Sequence, residues 1–308
     1  MTPARHGRRS RSLPAALAFV ALAVALAAGA WWLRREATPV LPASAPTLGA
    51  LVDGLLTDIR GRDRSYQPPT ASELAAAASA SAAAQSGGIA RARRLAREIG
   101  YDVLIADADG TPVIVLRERE ASRRGWGLFV FRTGDSSDVL LEVSHPASDL
   151  ETAEIGFELF IETRAQALLI AGAHRDAASS GSADVAHRRD SVFHAIHERL
   201  LDEDLVVVQP HGFATSSDRP FGAVVSAGTG DPTAIATEVA EAIADIGPQI
   251  CLYKRKACDD LGGTRNQQGI TARRVGASFL HLEFNRGLRQ PGPRRKQLIK
   301  ELAAALRD

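Results

Sequence analysis

The chain is 308 residues long, room for one large α/β domain without demanding two. Thirty-seven Lys+Arg against 36 Asp+Glu leave a formal charge of +1, which excludes a global field that would gather nucleic acid or an anionic surface, so any recognition is local. Hydrophobic content of 45% with only 5% aromatics describes a globular core built on aliphatic side chains.

Residues 1–12 form a basic tail with Arg5, Arg8, Arg9 and Arg11, and residues 13–33 (LPAALAFVALAVALAAGAWWL) carry no charge. About 20 apolar residues suffice to span a bilayer as a helix, and the positive-inside rule keeps such a tail in the cytoplasm. The expectation is a single-pass inner-membrane anchor with the rest of the chain in the periplasm; Ala28-Gly29-Ala30 also fits a cleavage site, which makes a removed signal peptide the other reading. Residues 34–70, rich in Pro, Ala, Ser and Thr at their start, read as a linker, and residues 71–308 as the α/β domain. Cys251 and Cys258 fall in the exported part, where a disulfide between them is expected to persist.

Residues 75–84 are an alanine and serine run, helical by propensity with little to bury, and a second helix, 89–99, stops at Gly100. Strands are predicted at 103–106, 112–116, 126–131 and 139–143, separated by turns short enough for antiparallel pairing. From residue 149 the pattern changes to helix 152–163, strand 167–171, helix 191–201, strands 205–209 and 223–226, helix 232–246, strands 250–253 and 277–284, and helix 296–306. Short apolar runs such as Leu168-Leu169-Ile170 and Val206-Val207-Val208 are what a sheet covered on both faces requires. The fold class is α/β: a mixed, mostly parallel sheet with helices on both faces, preceded by one N-terminal transmembrane helix.

In open α/β sheets the loops at the strands' carboxyl ends converge on the ligand. His145, His174-Arg175 and His211 each follow a predicted strand, and Glu283 lies near the end of the strand 277–284. In Ser144-His145-Pro146-Ala147-Ser148-Asp149-Leu150-Glu151, a histidine and a carboxylate four positions on can offer nitrogen and oxygen to one zinc ion. Ser148 and Glu151 also have the spacing of a helix capping box, which engages Glu151 and leaves Asp149 as the better second ligand, with Glu151 the alternative. His211, between Pro210 and Gly212, is expected on a tight turn after a buried strand, as the third ligand of an open site. Alternation puts His281, Glu283 and Asn285 on one face of their strand. A buried glutamate is costly unless it is paired or has chemistry to perform, so Glu283 is either a general base for activated water or the partner of Arg286 or Arg289.

His174, Arg175, Asn266, Gln268 and Arg289 are candidate substrate contacts, the guanidiniums suiting a carboxylate and the amides both donating and accepting. His194 and His197, three apart on a helix, read as packing, while Asp184, His187 and Asp190 either position that helix or reach the site. Gly228-Thr229-Gly230 lacks the lysine of a nucleotide-binding loop.

The order SHPASD, AHR, PHGF, LGGTRNQQG and HLEFNRGLR, over residues 139–289, resembles the zinc-dependent phosphorylase/hydrolase-like group that includes metallocarboxypeptidases, N-formylglutamate amidohydrolases and poly-γ-glutamate hydrolases. The resemblance implies His145, Asp149 and His211 as zinc ligands, Glu283 as the base and Arg175 toward a substrate carboxylate. It departs from the carboxypeptidase pattern in lacking HxxE, since Ser148 stands three beyond His145. The expected function is a zinc-dependent hydrolase of amide or peptide bonds outside the cytoplasm, taking a small peptide or carboxylate-bearing substrate and no nucleic acid. The alternative is a non-catalytic, membrane-tethered periplasmic module that binds an anionic ligand.

Overall fold

Period-two alternation sorts the strand side chains onto two faces, and two apolar layers follow from it. Val113, Val115, Val130, Leu141 and Leu168 enter one layer, while Ile114, Leu116, Phe129, Phe131, Leu140 and Leu169 enter the other. A computed structural model describes residues 39–61, 65–216, 219–258 and 260–307. The expected tail and anchor, residues 1–33, lie outside the described residues, among which no helix is long and apolar enough to cross a membrane.

In chain order the elements are α1 (Leu48–Gly61), α2 (Ala71–Gln85), α3 (Ile89–Glu98), β1 (Tyr101–Ala108), β2 (Thr111–Glu118), β3 (Leu128–Arg132), β4 (Ser137–Val143), α4 (Thr152–Glu162), β5 (Ala165–Ile170), α5 (Val192–Leu200), β6 (Val206–Phe213), β7 (Ala223–Ser226), α6 (Ala234–Ala244), β8 (Ile250–Leu252), α7 (Gln267–Val275), β9 (Ser278–Asn285), α8 (Arg286–Arg289) and α9 (Pro293–Ala305). The sheet order is β1-β2-β3-β5-β4-β6-β9-β7-β8. Its centre, β5-β4-β6-β9, is parallel; β1, β2 and β3 form an antiparallel edge, and β7 runs antiparallel to β9. Helices α1, α4, α6 and α9 cover one face, and α2, α3, α5 and α7 the other.

Two expectations are corrected. Within the span read as linker, Leu48, Leu51, Val52 and Leu56 make a helical stripe that enters the core, so α1 belongs to the domain. The Pro-rich stretch before it and Gly49 and Gly54 within it hide that stripe from composition. In α2 the alanine run does have something to bury: Ala77, Ala80, Ala83 and Ala84 are enclosed where the helix packs closely on α3 and α5, and Thr70 with Glu73 closes a capping box at its start.

Candidate metal centre

Strand register brings the site together. In the β6–β9 pair, Gln209 lies opposite His281 and His211 opposite Glu283. Side chains two apart share a face, so these four form one polar patch beside the end of β4. The expected tight turn at Pro210-His211-Gly212 is not there: β6 runs on through Phe213. Its pairing with β4 ends at Val208, so a proline at 210 sits where only the β9 side remains laddered.

Directly after β4, the His145 carbonyl accepts the N–H groups of Ser148 and Asp149, at 3.2 and 2.9 Å, and this turn returns Asp149 to its own histidine. Asp149 Oδ2 is 3.5 Å from His145 Nδ1 and 3.1 Å from His211 Nδ1. One donor atom from each of the three residues lies within 4.8 Å of the others. Ligands of a tetrahedral zinc, with bonds of about 2.0–2.1 Å, stand roughly 3.3 Å apart, so two imidazoles and a carboxylate at these separations fit such an ion. The capping box is not formed. Ser148 Oγ lies 3.2 Å from His174 Nε2, and Glu151 enters α4 at φ 68° without a side-chain cap, beside Arg289.

His145 is fixed from behind. Its Nε2 is 2.8 Å from Asp184 Oδ1, while Asp184 Oδ2 takes Arg175 at 2.5 Å and His187 Nδ1 at 2.9 Å. A carboxylate on the far nitrogen orients a ligating imidazole and raises its basicity. Burial works against charge on His145, but the hydrogen bonds it donates to Asp149 and Asp184 outweigh it and its pKa is raised. Burial would raise both aspartates; their histidine partners hold them well below the carboxylate range instead. His211 is driven down to about 4, by burial first and by the charge of His281 next, so it is a neutral donor at pH 7.

Glu283 Oε1 is 3.3 Å from His281 Nε2, and its buried Oε2 has no partner. Burial raises this carboxyl, yet His281 and His211 bring its pKa below the ordinary value, so it is ionised near neutrality. The His281 ring lies between His211, 4.3 Å away by centroids, and the backbone of Gly263. At φ 61° a Cβ on Gly263 would sit 2.6 Å from that ring, so glycine is required.

His145, Asp149, His211, Glu283, Arg175 and Asn266 line one cavity of about 400 Å³, together with Leu261, Thr264 and Arg265. The other proposed substrate contacts lie elsewhere. Gln268 is fully buried, with its amide on His194 and the Val185 carbonyl. Arg289 is buried against Gly212 and donates to the carbonyls of Phe284 and Leu150, so it ties the end of β9 to the turn that leads into α4 and does not pair with Glu283. His174 faces a separate cavity of about 50 Å³. Asn266 reaches the wall, but both ends of its amide are used within the protein. Sequence reasoning passed over Glu142 and Gln209, which meet beneath the site, although a carboxyl inside the apolar run Leu140-Leu141-Glu142-Val143 carries the same signal as Glu283. Cys251 and Cys258 are joined by a disulfide.

No protein-family model matches the chain, and a search of curated proteins finds no match. Among solved structures it is similar to a bacteriophage poly-γ-glutamate hydrolase (12% identity, TM-score 0.37, over 56% of this chain and 83% of that one). It is also similar to an aspartoacylase family protein from Mesorhizobium loti (12% identity, TM-score 0.38, over 66% and 70%). A third such structure is a metallo-carboxypeptidase from Burkholderia cenocepacia (13% identity, TM-score 0.34, over 73% and 67%).

Proposed function

We propose that the chain is a zinc-dependent hydrolase of amide or peptide bonds. One observation carries this reading: a His-Asp-His donor set and a buried, ionised glutamate with an unpartnered oxygen line the same cavity. Bound to such a set, zinc supplies a Lewis acid that polarises a carbonyl and acidifies water. His145, Asp149 and His211 would hold the ion, and Asp184 keeps His145 turned toward it. Glu283 Oε2, with no competing partner, takes the proton of the attacking water and returns it to the leaving nitrogen. His281 steadies the other oxygen and favours the ionised base.

A cavity of about 400 Å³ suits a small peptide or an acyl amino acid. Arg175 and Arg265 on its wall suit a substrate carboxylate. Action outside the cytoplasm, from an inner-membrane anchor at residues 13–33, is proposed from the charge-free run behind an arginine-rich tail, and the Cys251–Cys258 disulfide supports it.

The test is metal content and hydrolysis by the full chain. We expect zinc retained through dialysis, lost in both His145→Ala and His211→Ala, together with metal-dependent cleavage of N-acyl amino acids or short peptides. Wild-type protein that keeps no zinc, or keeps it regardless of both substitutions, overturns the reading.

A further inference from the structure

A histidine can give a metal only the ring nitrogen that carries no proton, so the tautomer of His211 decides whether Nδ1 is available. A run of hydrogen bonds with one self-consistent direction bears on that choice. It begins at the start of α7, where Asn266 is the N-cap and its Oδ1 accepts the Gly269 N–H at 3.0 Å. The cap leaves Nδ2 to donate, and it does so to Gln209 Oε1 at 2.7 Å. Gln209 is held from its other end too, since its Nε2 donates to Glu142 Oε2 at 2.7 Å. Glu142 is in turn fixed by His197 Nδ1, 2.7 Å from its Oε1. With the amide thus oriented, the atom that faces His211 Nε2, at 3.2 Å, is the Gln209 carbonyl oxygen. A carbonyl only accepts, so the proton belongs on Nε2 and the lone pair on Nδ1.

The competing tautomer, with Nδ1–H donated to Asp149, would set two acceptors 3.2 Å apart at the Nε2 end. The two ends are not equivalent. Asp149 opens onto the cavity, where solvent or a cation can satisfy it, whereas Glu142, Gln209 and His197 are fully buried and Asn266 is 3% exposed. At the sealed end Ser144 Oγ, 3.4 Å from Nε2, is a hydroxyl that can accept or donate; were it to donate, the Gln209 oxygen would still stand opposed to a bare nitrogen at the shorter distance of 3.2 Å, whereas Nε2–H satisfies both oxygens.

We propose that Asn266, Gln209 and Glu142 are positioning residues that lock His211 as its Nε2–H tautomer, so that a helix cap on α7 presets a metal donor on β6. The purpose assigned to the lock rests on the zinc reading above; the tautomer itself does not. The experiment is ¹⁵N NMR of the metal-free full chain at pH 7.5, paired with zinc competition against a chromophoric chelator. Wild type is expected to show His211 as Nε2–H. Asn266→Asp keeps a good cap but turns a second acceptor on Gln209, and the expected result is a near-wild-type melting temperature, a shift of His211 toward Nδ1–H, and zinc affinity lower by about 10–100-fold. Gln209→Met, of similar shape without polar atoms, should also release the tautomer, which separates the lock from any misfolding of one variant. An Nδ1–H His211 in the wild type, or a tautomer unmoved in folded Asn266→Asp and Gln209→Met, overturns the proposal. A tautomer that moves as stated in a protein that binds no zinc upholds the lock and removes the metal reading instead.

Discussion

The antiparallel edge and the parallel centre each bury a glutamate at the end of a strand, and they treat it in opposite ways. At the edge, Glu118 closes β2 and accepts the backbone N–H groups of Arg124, Trp126 and Gly127, at 2.8, 2.8 and 3.3 Å. Burial still leaves its pKa raised. At the centre, Glu283 is 8% exposed, lines the cavity, pairs with one histidine and keeps a second, buried oxygen that has no hydrogen-bond partner. Burial by itself therefore says little about function. A buried carboxyl whose acceptor sites are filled by backbone is ordering a loop, and one left open beside potential metal donors is equipped for chemistry.

Exchanging each carboxyl in turn tests whether the two glutamates differ in this way. Glu283→Gln should lower turnover by about 10²–10⁴-fold, some 3–5 kcal/mol of barrier, while zinc content and the unfolding midpoint stay near wild type. Turnover within a few-fold of wild type would remove Glu283 as the base. Glu118→Ala should do the reverse. It orphans three buried or half-buried N–H groups, each costing about 1–3 kcal/mol, so denaturant unfolding should show a loss of about 3 kcal/mol or more, with activity per folded molecule retained.

How much of this was legible in the sequence depends on the range of the interactions involved. The shared face of His281 and Glu283 follows from alternation along one strand, and the closeness of His145 to Asp149 from a single turn. The layering of the sheet followed from short aliphatic runs. Other features needed contacts far apart in the chain. Arg289 and Gln268 look like surface donors in sequence but spend their hydrogen bonds on Leu150 and on Val185 and His194. Pro210 argues for a turn until the one-sided pairing of β6 at that point is known. The Ser148/Glu151 spacing suits a cap, but the turn at His145 takes Ser148 to His174 instead.

The cavity wall offers a milder comparison, between the metal donors and the substrate side. Cys251 on β8 and Cys258 close a short loop that leads into Asp260 and Leu261 on that wall, whereas His145 and Asp149 sit in the turn after β4 and His211 on β6. Replacing both cysteines by serine should cost roughly 2 kcal/mol of stability, the loop-entropy value for so short a ring. It should also raise KM while zinc affinity stays within about two-fold. A loss of zinc in step with the disulfide would show that the two sides of the cavity are not separate.

The smallest effect concerns acid, where edge and centre should respond with opposite signs. His194, fully buried beneath the site on the Gln268 amide, has its pKa driven down from 6.5 to about 3, by burial first and by His197 next. The unfolded chain therefore binds this proton before the folded one does, and the stability the neutral ring contributes, complete above pH 6.5, is lost as pH falls toward 3. Below pH 6.5 the loss approaches about 1.4 kcal/mol per pH unit from this one residue. Glu118, with its pKa raised, works the other way: its contribution is complete below the ordinary value of 4.5 and is lost as pH rises through the folded value. Urea unfolding of wild type and His194→Asn between pH 6.5 and 5 separates the two, because an amide cannot take up the proton. We expect the variant to lose less stability over that interval than the wild type, and equal slopes would mean that the acid sensitivity of the centre arises elsewhere.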